Sequence, residues 1–120
     1  MHPAVAAYEA VYETGYPEQV ADLVVKAFTA DATLVSPWLP APVVGHEAIT
    51  AHVLRTRDRL VGTVSKHTSS MDRVGDVLRW TWAFEQNAET VAEGMDVAVL
   101  APDERMSLLA IFDGNTPPRQ

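Results

Sequence analysis

The side chains best placed to do chemistry stand in two neighbouring segments whose polarity alternates residue by residue. Over residues 90–101, Asp96 falls on the same face as Ala92, Gly94, Ala98 and Leu100, all apolar or very small, which aims a carboxyl group into a cavity. Burial there disfavours the charged form and leaves a neutral acid able to donate a hydrogen bond. The same alternation also fits an Asp96 that faces solvent or pairs with an arginine. Over 77–86, Leu78, Trp80, Trp82 and Phe84 share one face, while Arg79, Thr81, Ala83 and Glu85 share the other. The aromatic face points inward, either as core packing or as the lining of a pocket.

Other constellations fail on spacing. His46 and His52 are six positions apart on a helix pattern, so they do not share a face as zinc ligands at i and i+4 would, and no HExxH occurs. No GxSxG elbow or glycine-rich phosphate loop is present. The absence of cysteine excludes thiol nucleophiles and disulfides. Neither a metal nor a cofactor is therefore expected. His67, among Ser65, Thr68 and Ser69, titrates in the neutral range in principle, although a lone strand histidine is usually a surface or satisfied residue.

The 120 residues, 48% hydrophobic and 21% charged, match one ordinary globular domain spanning 1–120, with its ordered part at about 3–113. A net charge of −7 opposes a nucleic-acid partner. Arg55, Arg57 and Arg59, interrupted by Asp58, read as a solvated helix face. No basic leader and no apolar run of membrane-spanning length is seen, so no membrane partner and a cytoplasmic location are expected.

The elements that must position these groups are legible from period and punctuation. Val5, Tyr8, Val11 and Tyr12 recur at helical spacing from Ala4 to Thr14, with Gly15 where a left-handed cap would be wanted. Pro17 suits a first helical turn, and Val20, Leu23, Val24, Ala27 and Phe28 mark a second helix. A brief strand over Ala32–Val35 leads into a proline-rich loop, residues 37–42, expected to lie over the pocket. A third helix runs from about His46 to Leu60, and Gly62 ends it. Strands are predicted at about 64–74, 77–86, 90–101 and 105–112, and a loose tail from Asn115 to Gln120. Helices followed by a meander favour an α+β layer structure with a long antiparallel sheet.

The run Ala27-Phe28-Thr29-Ala30-Asp31-Ala32-Thr33-Leu34-Val35-Ser36-Pro37, followed by Gly45-His46-Glu47-Ala48-Ile49, resembles the ketosteroid isomerase and SnoaL-like polyketide cyclase branch of the nuclear transport factor 2-like superfamily. The order of elements matches over about residues 3 to 113. The resemblance implies a cone-shaped, strongly curved antiparallel sheet closed by three N-terminal helices around one pocket, and commonly a homodimer. It makes Tyr8 look like the isomerase tyrosine. Asp96, in Gly94-Met95-Asp96, looks like the acid that completes the isomerase oxyanion hole or the acid-base aspartate of the cyclases. Ser36 stands where the isomerase has its proton-shuttling aspartate, and a serine cannot take up a proton at neutral pH without an activating base. Gly94 stands where the limonene-epoxide hydrolase relatives carry an arginine.

Two functions follow as expectations. One is an enzyme acting by proton transfer, isomerisation or aldol-type ring closure on a hydrophobic, carbonyl-bearing small molecule, with Asp96 and Tyr8 at the reacting oxygen and, as base, Asp96 itself, or His52 or His67 if either faces the cavity. The other is a non-catalytic protein in which Trp38, Trp80, Trp82 and Phe84, beside Ser36, hold a flat apolar ligand. Either is compatible with a dimer formed through Val91, Met95, Val97 and Val99 on the outer sheet face.

Overall fold

The fold begins with a helix whose start is fixed locally. His2 Nδ1 accepts a hydrogen bond from the Ala4 N–H at 3.1 Å, and Pro3 occupies the first turn, where no N–H is needed. In this computed structural model, which describes residues 1–114, α1 spans Pro3–Glu13. It buries Ala4, Val5, Tyr8 and Val11. Thr14, in extended conformation, closes the helix through its N–H to Ala10 O, so the left-handed cap expected at Gly15 is not used. A 3-10 turn at Pro17–Gln19 leads into α2, Val20–Ala27, which buries Val20, Val24 and Ala27.

Phe28, expected on the helical stripe, instead opens β1, Phe28–Val35, with extended backbone. The first half of β1 is irregular: its register against the neighbouring strand shifts between Phe28 and Thr33, and Ala30 and Asp31 turn outward. That bulge broke the alternation and made the strand look shorter in the sequence. The short β2, Val43–Val44, follows the proline loop, and α3 covers His46–Arg59. The predicted strand at 64–74 is two pieces, β3 at Val64–His67 and β4 at Asp72–Val74. Between them the Ser69 hydroxyl, not a backbone carbonyl, accepts the Thr81 N–H at 2.9 Å, which interrupts the ladder. The meander continues with β5, Val77–Gln86, β6, Glu89–Leu100, and β7, Met106–Asp113. The tail expected from Asn115 lies outside the described residues.

The seven strands form one curved, open sheet in the order β2-β1-β7-β6-β5-β3, with β4 also on β5. Pairing is antiparallel except between β1 and β7, which run parallel, so the sheet is mixed and not wholly antiparallel as expected. The cause is topological. After β1 the chain adds the short antiparallel β2, leaves the sheet for α3 and then builds the meander, and β7 returns on the other side of β1 in the same direction. Register shifts at Phe84/Glu85 and Val99/Leu100 add local bends to the long strands.

Val5, Val11, Val20 and Val24 from the helices meet Leu34, Leu78, Ala98, Met106 and Leu109 from the sheet in one core. Arg57 binds α3 to α1: its Nη1 donates to Val11 O at 2.6 Å and Thr14 O at 2.9 Å. These are carbonyls at the open end of α1, which otherwise lack helical partners. Arg57 is therefore half-buried and structural, and not part of a uniformly solvated arginine face.

Charged donors on buried carbonyls contribute about 2 kcal/mol. Arg57→Ala is accordingly expected to lower the urea unfolding midpoint by an equivalent amount with an unchanged slope. An unaltered midpoint would show that α1 is held by apolar packing alone.

Candidate functional site

The helices do not fill the concave face of the sheet completely. A cavity of about 240 Å³ remains, walled by α1 through Tyr8, Glu9 and Tyr12, by α3 through His52, Thr56 and Arg59, and by the sheet through Trp80, Trp82, Phe84, Ala92, Asp96 and Ile111. Trp38, from the proline loop, closes one side, with its ring centre 6.4 Å from that of Trp82. The helix period explains the α3 wall, because residues 52, 56, 59 and 60 lie on one stripe. Strand alternation explains the sheet wall.

Asp96 is 2% exposed, and among the described residues the one hydrogen bond to its carboxyl group comes from the Trp82 indole, Nε1 to Oδ1 at 2.8 Å. Gly94 makes that bond possible. It lies opposite Trp82 on β6, and a side chain there would sit about 2.4 Å from the indole ring and 2.2 Å from the Phe112 carbonyl. The position that holds an arginine in the epoxide-hydrolase pattern is thus the floor on which Trp82 lies. Burial pushes the Asp96 carboxyl up to about 7, opposed by the Trp82 donor and assisted by the negative charge of Glu9. Near neutrality Asp96 is therefore present in both protonated and ionised forms.

The tyrosines form the facing wall. The Tyr8 and Tyr12 hydroxyls are 3.3 Å apart, and their rings meet edge-on at 5.6 Å. Tyr8 also packs edge-on against Phe28, and Tyr12 against Phe84. Burial raises both phenols, Tyr8 well above its ordinary value and Tyr12 to about 12, and the charge on Asp96 pushes each in the same direction. Both remain protonated donors. Among the described residues, the side chain of His52, 6% exposed, has no hydrogen-bond partner. Burial, then the charges of Arg55 and Arg59, lower its pKa, so it is a neutral imidazole at pH 7. Glu9 contacts the imidazole Nε2 of His67, which stacks on Trp80 with ring centres 6.2 Å apart.

Of the residues singled out in the sequence, Tyr8, Trp38, Trp80, Trp82, Phe84 and Asp96 come together around the cavity. Ser36 does not. Its hydroxyl turns back to accept the Trp38 N–H at 3.2 Å, so it shapes the proline loop and does not line the cavity. Several lining groups were not marked as site residues, among them Tyr12, Glu9 and Arg59. Tyr12 was legible, one turn after Tyr8 on the same face. Glu9 and Arg59 were not, since their helical positions border the solvent side. Among the described residues, no cluster of three His, Asp or Glu side chains suited to a metal ion occurs, and no helix is long and apolar enough to cross a membrane.

No protein-family model and no curated protein matches this sequence. Solved structures do match. A SnoaL-like family protein from Agrobacterium tumefaciens, described as a candidate isomerase, superposes with a TM-score of 0.84 at 22% identity, covering 93% of this chain and 95% of that one. A protein with a ketosteroid isomerase-like fold from Catenulispora acidiphila, solved with trimethylamine, gives 0.70 at 19% identity, over 91% and 83% of the two chains. An NTF2-like protein of unknown function from an Exiguobacterium species gives 0.68 at 18% identity, over 94% and 99%. The chain therefore has the nuclear transport factor 2-like fold, in the form shared by SnoaL-like and ketosteroid isomerase-like proteins.

Because the folded pKa of Asp96 is raised, the native state holds a proton that the unfolded chain has released, and stability falls as pH rises from about 4 through about 7. The ionisation penalty is on the order of 4 kcal/mol. Asp96→Asn keeps an acceptor for Trp82 and removes the ionisable group. It is expected to flatten this pH dependence and to raise stability at pH 8 in urea unfolding. A pH profile identical to that of the wild type would show that Asp96 ionises normally.

Proposed function

We propose that this chain is an enzyme that moves protons on a hydrophobic, carbonyl-bearing small molecule. One observation supports this reading above the others: a buried carboxyl group, with one indole as its hydrogen-bond partner, faces an apolar cavity whose opposite wall carries two protonated tyrosines. Protonated Asp96 donates to the ligand's carbonyl oxygen. The Tyr8–Tyr12 pair shares one proton internally and offers the other to the same oxygen. The His52 imidazole, neutral and without a hydrogen-bond partner among the described residues, accepts the proton from the adjacent carbon as the C–H bond breaks and its electron pair moves onto oxygen. Returning that proton at another carbon isomerises the ligand, and attack of the enolate on a second carbonyl closes a ring. Each aligned donor can stabilise the developing oxyanion by a few kcal/mol in such a site.

The competing reading is a binding protein for a flat ligand held against Trp38, Trp80, Trp82 and Phe84. It is favoured by Ser36, which provides no carboxylate base and lies outside the lining. The two readings differ in whether a proton leaves carbon. In D2O, deuterium exchange into 2-tetralone, followed by proton NMR, is expected to be accelerated by the wild type. The rate should fall about a hundredfold in Asp96→Asn and by a similar factor in His52→Gln, and it should decline above pH 7 as Asp96 ionises. Saturable binding of 2-naphthol, an enolate mimic, without any exchange would favour the binding protein.

The outer face supports a second proposal, a homodimer. Met95 and Phe112 are paired neighbours there, as are Val97 with Ala110 and Val99 with both Val77 and Leu108. They form an apolar strip only partly shielded in the single chain. Val97→Lys is expected to convert a dimer to a monomer in light scattering. A wild type that is monomeric at high micromolar concentration would remove this proposal.

A further inference from the structure

The stripe of α3 that faces the cavity is graded in exposure. His52 is buried, Thr56 is half-buried with its hydroxyl donating to His52 O at 3.0 Å, and Arg59 is exposed. Seven helical residues separate His52 from Arg59, about 10 Å along the axis, so the stripe runs from the interior to the mouth.

The charges along this path are unequally satisfied. Glu9 lies against His67, and Lys66, also on the lining, pairs with Glu85 at 2.9 Å. Among the described residues, Arg59 has neither an ion pair nor a hydrogen bond, although the chain carries a net charge of −7. Its field is felt by the buried imidazole of His52. An unpaired guanidinium beside an apolar cavity fits a planar anion, which it can hold through two parallel N–H donors. The Asp96 end, with a carboxyl group and two phenols, suits a neutral oxygen instead.

We propose that the ligand of this cavity is a flat apolar carboxylic acid, its carboxylate on Arg59 at the mouth and its carbonyl or enol oxygen at Asp96. The proposal rests on the cavity being the ligand site and adds what that ligand must carry. The run of about 10 Å along the α3 stripe suits roughly two fused rings, lying against Trp38, Trp82 and Phe84. Pairing with Arg59 also screens one of the two arginine charges that act on His52, so the carboxylate would make that imidazole a better proton acceptor once the ligand is bound.

The test compares 6-hydroxy-2-naphthoate with its methyl ester by titration calorimetry. The wild type is expected to bind the acid about tenfold more tightly than the ester, equivalent to about 1.4 kcal/mol. Arg59→Gln, a change at an exposed position, should abolish that preference and leave the affinity for the ester unchanged. The His52 imidazole signals should shift on adding the acid to the wild type, and shift less in Arg59→Gln. Equal binding of acid and ester by the wild type would overturn the proposal and leave Arg59 as a cation that balances the helix end. A preference that survives in Arg59→Gln, a loss shared by acid and ester, or no binding of either also overturns it. Tetralone exchange without an acid preference would sink this proposal and spare the enzymatic reading. An acid preference without exchange would do the reverse.

Discussion

The bond from the Trp82 indole to the Asp96 carboxylate is the constraint around which the concave face is arranged. A lone buried carboxylate is unfavourable, and one neutral donor offsets only part of its desolvation. To reach Asp96, the indole must lie flat across β6, and this requires the missing side chain at Gly94. With Trp82 in that pose, its ring meets Phe84 at 5.6 Å and Trp38 at 6.4 Å. One hydrogen bond thereby orients the aromatic wall and keeps the carboxyl group turned to the interior.

The rest of the cavity balances charge against burial. On the α1 side, Glu9 raises the cost of ionising Asp96, and burial pushes the Glu9 carboxyl up in turn, opposed by its contact with His67. Toward α3 the charge has the opposite sign, and burial, helped by Arg55 and Arg59, keeps His52 neutral. An acid that can hold its proton and a base that can lack one are thus kept on different elements of one small space. Perturbed titration at such pairs is characteristic of sites that transfer protons, although the fold itself hosts many functions.

Much of this arrangement was legible in the sequence, and the parts that were not share a physical reason. Period-two alternation placed Asp96 with Ala92, Gly94 and Ala98, and the aromatic row with Trp80 and Trp82, because the inward face is buried at Leu78, Trp80, Gly94, Asp96 and Ala98. It failed in β1, where a bulge turns Ala30 and Asp31 outward, and at Thr68–Met71, where a serine hydroxyl replaces a ladder carbonyl. The arginines of α3 looked alike as a charge run. Their separate roles depend on which neighbouring element each one reaches, and local sequence does not carry that information. Ser36 illustrates the reverse: its position in the chain suggested the pocket, but the rotation of its hydroxyl toward Trp38 removes it.

The parallel pairing of β1 with β7 has a consequence for how the chain acquires its shape. Phe28 is opposite Met106 and Val35 is opposite Ala110, so partners more than seventy residues apart meet in the middle of the sheet. A ribosome delivers β1 early, and its β7 neighbour emerges only after the whole meander. Until then one long edge of β1, carrying Phe28 and Leu34, has no strand beside it and can bond to any other extended segment. Local helices and hairpins can form while the chain grows, but closure of the sheet must wait for the final strand, and distant pairing of this kind is slow. The nascent chain is therefore most vulnerable to aggregation just before β7 is made.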